Sequence, residues 1–458
     1  MIDCKIMLPA FYMTKVIETS YGKVSGISCN GCLQYLGIPY AKAPVGDLAF
    51  RHPKDPDSWD GVKTADKGGR NAVQGYSSRH FISYTGQDCL YMNICVPEGA
   101  SSGLPVLVWI HGGSYATGGT GRISEQSDAM VYDLTRFAFE TGCILVDFNY
   151  RLNLYGFMNL NSMSSRFDMN CGLFDQIKAL EFIQKNISAF GGDPGNVTLF
   201  GQSSGGACIL ALMTMPEAEP LFSKAIVQSA CVDSFWSPEQ SEKLAKTYLR
   251  MLGISRKTPE KILSADPKRV YKANRDLKIR VRAKGEVTCV FSPVVDGVTL
   301  KGYPGKLVTA SKKPMLIGTV LHEADLFTKG LPSFFLPYAP TLFKLKTKWG
   351  KNLRRRLSDD LTYKVYKKPV LDIASSYSGD LWLYDYQYVK CRHADEVPVL
   401  FGSKTEPDRE ARSPSKTSLE PEADALGVIL RRAWSDFAHN GNPGWGMYKD
   451  SRDIHIFK

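Results

Sequence analysis

The hexapeptide Gly201-Gln202-Ser203-Ser204-Gly205-Gly206 sets a serine between glycines at G-x-S-x-G spacing. It follows the apolar run Val197-Thr198-Leu199-Phe200 and opens a helix predicted from about Ser204 to Met213. In a strand-to-helix turn this tight, only glycine fits two residues before and two after the serine. Ser203 is then expected above the sheet edge with its hydroxyl exposed. The Ser204 amide, at the helix N-terminus, is aimed where an oxyanion would develop, and the helix dipole adds to the attraction. This is an arrangement for nucleophilic attack on an acyl carbon. A purely structural glycine-rich turn is the competing reading of the motif taken alone.

A second glycine-rich loop weakens that reading. The run Val106 to Ile110 leads straight into His111-Gly112-Gly113-Ser114-Tyr115, with Gly118-Gly119 beyond. Backbone amides of such a loop, here those of Gly113 and Ser114, complete an oxyanion hole with Ser204. The alternative use, phosphate binding, lacks its G-x-x-x-x-G-K-[ST] signature.

A serine hydroxyl needs a base, and the base needs an orienting acid. Where G-x-S-x-G sits on a strand–turn–helix, the chain order is serine, acid, histidine, so the base must follow Ser203. His52, His80 and His111 precede it. His322 adjoins a candidate acid, His439 falls in the last turn of a predicted helix, and His455 lies in the strand-like tail. His393, in a loop after a strand, is the best base. The acid is expected in the loop after Ile317-Gly318-Thr319, because a parallel sheet presents its functional groups at strand ends. Glu323 and Asp325 both lie there, and spacing alone does not separate them.

These residues require a sheet to hold them, and the pattern supplies one. Leu104 to Ile110 and Ile144 to Phe148 are near-continuous apolar runs, as in strands buried on both faces. Phe174 to Phe190 has helical spacing. Short strands are predicted at Val197–Phe200, Lys224–Gln228, Pro314–Thr319 and Leu381–Tyr386, and a closing helix over Glu422–His439. Strands alternating with helices imply an α/β protein. From about 237 to 310 and from 331 to 372 the alternation gives way to helical, basic sequence, read as insertions on the central sheet. Residues 1–15 read as an N-terminal extension, residues 16–458 as one domain, and 405–420 as a polar surface loop.

Composition excludes several other classes. With 43% hydrophobic and 22% charged residues, the chain is neither disordered nor fibrous. No apolar run reaches membrane-spanning length. The net charge of +11 invites a nucleic-acid reading, but much of the excess sits in Lys344 to Lys368 with no interleaved aromatic platform. That stretch reads as a solvated face. The eleven cysteines are scattered, several of them inside apolar runs. Cys29-Asn30-Gly31-Cys32 has no second C-x-x-C to complete a zinc site, and Asn-Gly between strand-like runs signals a hairpin. No metal or cofactor is called for. The N-terminus shows no secretory pattern, and with the scattered cysteines this points to a reducing cytoplasm.

Taken together, the chain resembles the type-B carboxylesterase (cholinesterase-like) family from about Val16 to Phe457. The resemblance is carried by Gly37-Ile38-Pro39-Tyr40-Ala41, Asp88-Cys89-Leu90-Tyr91-Met92-Asn93, Asn149-Tyr150-Arg151, Phe190-Gly191-Gly192-Asp193-Pro194 and His393-Ala394-Asp395-Glu396. It implies an α/β-hydrolase fold, a mostly parallel sheet with helices on both faces. It further implies a Ser203–His393–Glu323 triad, a buried Arg151–Asp175 ion pair and an acyl-side wall at Trp236. The expected reaction is hydrolysis of small carboxylic esters through an acyl-enzyme, with short-to-medium acyl groups. An amide or carbamate hydrolase on the same triad, and a catalytically silent binding or adhesion protein, are the alternatives. The oligomeric state is not legible.

The departures from the family pattern are specific. Gln202 replaces an acidic residue, Ser204 an alanine, and Ser114 a glycine or alanine. Cys89 is present, but Val73 stands where animal relatives carry its disulfide partner. Ala49 and Gln87 replace an arginine–glutamate pair. The tryptophan that cholinesterases use for a quaternary ammonium is missing. These features resemble a bacterial-type intracellular esterase.

Overall fold

The computed structural model describes residues 15–74, 84–124, 127–283, 289–328, 348–388, 391–402 and 419–458. Ten strands form the main sheet: β1 (Ile27–Cys29), β2 (Cys32–Pro39), β3 (Tyr91–Pro97), β4 (Leu104–Ile110), β5 (Ile144–Phe148), β6 (Gly192–Gln202), β7 (Lys224–Gln228), β8 (Met315–Val320), β9 (Leu381–Tyr386) and β10 (His455–Phe457). Their spatial order is β10-β9-β8-β7-β6-β4-β5-β3-β2-β1. β1, β2, β3 and β5 pair antiparallel in succession. Every pairing from β5 through β4 to β10 is parallel. The α/β-hydrolase architecture expected from the sequence is therefore present.

The sheet's two faces are written in the period of two along its strands. In β4, Val106, Val108 and Ile110 enter one apolar cluster, while Leu107 and Trp109 enter the other. Helix α2 (Cys171–Asn186) covers the first face with Leu173, Ile177, Leu180 and Ile183. The second is covered by α1 (Thr135–Thr141) and α8 (Pro421–Asn440), the latter through Leu426, Leu430, Trp434 and Phe437. Helix α3 (Ser204–Leu212) follows β6 directly and is buried along its whole length. A strand end buried between two helical layers is reachable only from its carboxyl edge, and that edge is where the motif residues gather.

The first hairpin forms as read. Asn30 (φ 53°) and Gly31 (φ 73°) both take the left-handed region required by a type I′ turn, and Cys29 pairs with Cys32 in register across it. In the insertion after β7, α4 (Pro238–Leu252) starts with a capping box between Ser237 and Gln240. α5 (Pro267–Ala283) follows, and a bridge between Trp236 and Val294 returns the chain to the body. The second insertion contains α6 (Lys348–Thr362), a π-helical turn (Tyr363–Lys367) and α7 (Lys368–Ser376). Within its basic sequence Arg355, Lys364 and Lys368 pair with Asp359, Asp360 and Asp372 one helical turn away. Residues 1–14, Phe334, Phe335 and nearly all of the 405–420 loop lie outside the described residues. Among the described residues no helix is long and apolar enough to cross a membrane, and no cluster of three or more metal-ligating side chains occurs.

Val73, Gln87 and Cys89 line one small cavity beside Arg151, so the missing disulfide and the missing ion pair leave space at a single place. None of the ten described cysteines is in a disulfide. Titration of unfolded protein without reductant is therefore expected to count eleven thiols, and reductant should leave the melting temperature unchanged. A stable intramolecular disulfide would contradict this.

Candidate active site

The nucleophile turn is shaped by two close approaches. A Cβ on Gly201 would lie 2.6 Å from the Ile110 carbonyl oxygen, and one on Gly205 only 2.0 Å from the same atom. Both positions must be glycine for β6 and α3 to pack against the end of β4. Between them Ser203 takes φ 58° and ψ −124°, a conformation that a residue with a side chain adopts only when its surroundings impose it. Its amide donates to the Gln228 carbonyl at 2.9 Å, so the neighbouring strand β7 helps hold the turn. The expectation of an exposed hydroxyl needs correcting. Ser203 is only 6% exposed, because His393, Gln202 and the Gly112 loop close around it.

His393 reaches this serine from the loop after β9. Its Nε2 lies 2.8 Å from Ser203 Oγ and its Nδ1 2.5 Å from Glu323 Oε2. With the Nδ1 proton donated to the carboxylate, Nε2 keeps a lone pair for the serine hydroxyl, the tautomer a general base requires. Glu323 is fully buried, and its other oxygen accepts the Val320 amide at 3.0 Å, which locks the carboxylate to the end of β8. The loop thus resolves the ambiguity between the two acids. Asp325 turns away and accepts the Ser358 hydroxyl at 2.5 Å, with Arg355 at 3.7 Å. The other downstream histidines are engaged elsewhere. His322 meets Arg355, His439 meets the Cys143 thiol, and His455 stacks on Trp445.

The glycine-rich loop after β4 wraps against the serine. A Cβ on Gly112 would lie 3.1 Å from Ser203 Cβ. Gly113 takes φ 117°, and its carbonyl accepts the amides of Ala116 and Thr117, which closes the loop into a tight turn. Burial pushes the His111 imidazole down to about 4, so it stays neutral and donates Nδ1–H to the Gly112 carbonyl at 2.9 Å. The Ser204 hydroxyl, absent where the family has alanine, accepts the Tyr115 amide at 3.3 Å and also meets the Tyr150 phenol. It ties the loop to the start of α3, joining the two halves of the donor set.

The buried ion pair is formed. Arg151 reaches Asp175 through Nε at 2.8 Å and Nη2 at 2.6 Å, and its amide adds a third contact at 2.9 Å. Burying one member of such a pair without the other is strongly unfavourable, so the two act as a unit. Trp236 is buried yet belongs to neither apolar cluster, and its backbone pairs with Pro293 and Val295 at 3.0 and 2.9 Å.

Three further side chains stand beside His393. The Gln202 amide lies 3.3 Å from Nε2, and the rings of Phe327 and Tyr366 lie 5.3 and 5.1 Å from the imidazole. Gln202 was visible as a departure from the family pattern. No local signal marks the two aromatics, because each comes from a different segment.

Known proteins resemble this chain in sequence and in fold over nearly its whole length. The sequence model of the carboxylesterase family matches residues 13–336. The para-nitrobenzyl esterase of Bacillus subtilis is 34% identical over 470 residues, covering 95% of this chain and 93% of its own. Carboxylesterase 4A of Bos taurus is 29% identical, covering 94% and 87%. A thermophilic PNB esterase superposes with a TM-score of 0.81 at 33% identity, over 97% of this chain and 96% of that one. The Geobacillus stearothermophilus carboxylesterase superposes at 0.80 and 30% identity, with 96% of each chain covered. With motif, topology and near-full-length similarity in agreement, this chain belongs to the carboxylesterase family.

Proposed function

We propose that the protein hydrolyses carboxylic esters through an acyl-enzyme on Ser203, with His393 as general base and acid and Glu323 as the orienting carboxylate. The observation that carries this reading is the continuous relay from Glu323 Oε2 through His393 to Ser203 Oγ, 2.5 and 2.8 Å long, ending on a serine held at positive φ. In the first half-reaction His393 takes the hydroxyl proton as Ser203 Oγ attacks the ester carbonyl. The oxyanion meets the amides of Gly113, Ser114 and Ser204, and the imidazolium then returns its proton to the departing alcohol. Water repeats the sequence on the acyl-enzyme and frees the acid. The buried setting of Glu323 and His393 favours this route because the charge that develops on the imidazole faces a fixed carboxylate rather than reorganising water.

Substrate choice is proposed from the acyl side. Trp236 forms a bulky wall there, so affinity should rise by about 0.8 kcal/mol per methylene until the chain meets the ring. The preferred substrates are then esters with roughly two to six acyl carbons, by that increment, and uncharged alcohols. Initial rates across p-nitrophenyl esters of increasing chain length test this. The optimum should lie among short chains and move to longer ones in Trp236→Ala. A wild-type preference for long-chain lipids, or a profile unmoved by the substitution, would refute the pocket. Ten described cysteines without a disulfide favour a reducing compartment, and we place the enzyme in the cytoplasm on that basis.

A further inference from the structure

Helix α6 carries half of the chain's basic stretch, yet Ser358 and Thr362 on its inner face are buried. Arg355, Ser358, Thr362 and Tyr366 recur three or four residues apart, a single stripe along a helix. The first three grip the loop that bears Glu323. Arg355 Nη2 lies 2.7 Å from the His322 ring, the Ser358 hydroxyl donates to Asp325 at 2.5 Å, and the Ala324 amide donates to Thr362 Oγ1 at 3.1 Å. Residues on both sides of Glu323 are therefore held by one helix. The stripe then enters the π-helical turn, a widened turn that re-aims the side chains following it. There Tyr366 is 4% exposed, its ring centre 5.1 Å from that of His393 at 49°. Its hydroxyl accepts the Cys231 thiol at 3.5 Å, which fixes the ring from its far end.

Ser203 and Gln202 meet the imidazole at Nε2 and Glu323 meets it at Nδ1, so these contacts hold its edge. An aromatic ring packed beside it adds resistance to tilting about the line between the two nitrogens. We propose that α6 and its π turn form a brace for the acid–base pair, in which Tyr366 is a positioning residue that keeps the His393 imidazole aligned between Glu323 and Ser203. This rests on the assignment of His393 as base. It also gives the second insertion a role in the reaction.

The test compares kcat and KM for Tyr366→Phe, Tyr366→Leu and Tyr366→Ala, with active-site concentration counted by fluorophosphonate titration, and His393→Ala run in parallel. Misplacing a reacting group by about an ångström costs up to about a hundredfold. Tyr366→Ala is therefore expected to lose between about tenfold and a hundredfold in kcat with KM little changed. Tyr366→Phe, which keeps the ring, should restore kcat to within about twofold of wild type. Tyr366→Leu fills the volume without the ring; it should fold and fall with the alanine variant, which keeps the test open if Tyr366→Ala does not fold. Equal losses in Phe and Leu, no loss in either, or a loss confined to KM would each overturn the brace. Activity surviving in His393→Ala would instead overturn the base assignment beneath it.

Discussion

Replacing Ser203 by alanine should lower kcat by about a million-fold, because nucleophile, base and acid act as a unit. What remains, about a thousandfold over water, comes from the oxyanion donors and from binding. The fold should survive, since the backbone that holds the turn does not depend on the hydroxyl: the Ser203 amide still bonds Gln228, and Gly201 and Gly205 still pack on Ile110. A fluorophosphonate probe should modify wild-type protein at Ser203 alone and leave the variant unlabelled. Stoichiometric labelling of the variant, or turnover within a hundredfold of wild type, would remove Ser203 from the nucleophile's role.

The second large effect separates two carboxylates only two positions apart. Glu323→Ala should cost about a thousandfold to ten-thousandfold in kcat, since the imidazolium loses both its counter-charge and the bond that selects its tautomer. The loss should exceed what a buried hydrogen bond alone is worth, about 1 kcal/mol or tenfold at most. Asp325→Ala removes contacts to Ser358 and Arg355 at the edge of α6. It is expected to lower stability by about 1 kcal/mol and to leave kcat within about tenfold of wild type. Steady-state kinetics and thermal melts on the two variants decide the matter, and the reverse ranking would move the acid to Asp325.

Local structure was legible where one short segment must satisfy its own geometry. The Asn30-Gly31 turn needs two positive φ values, and its residues accept them at little cost. The strand–serine–helix turn needs glycine at 201 and 205, where any side chain would strike a carbonyl. Buried parallel strands need apolar residues on both faces, so Leu104–Ile110 and Ile144–Phe148 read as strands from composition alone. Strand boundaries were less legible. β6 begins at Gly192, with a register shift before Val197, because its first residues pair with Leu104 through backbone atoms whatever side chains they carry.

The sequence alone marked Ser203 on its glycine turn, the second glycine-rich loop and the alternation that builds the sheet, and through ordered family motifs it pointed to His393. Only the tertiary structure decided which carboxylate faces His393, that Ser203 is enclosed rather than exposed, and that α6 reaches the acid–base pair. The reason is that Ser203, Glu323 and His393 stand on three loops whose neighbourhood is set by strand order, with β7 and β8 between β6 and β9. In the acid loop, the choice between Glu323 and Asp325 depends on what each side chain meets. The Val320 amide captures one and the Ser358 hydroxyl of a separate helix captures the other. Tyr366 is selected in the same way, by a π turn that shifts the helical register just where the chain passes His393. Such contacts join segments far apart in the chain, and no local pattern of residue types encodes them.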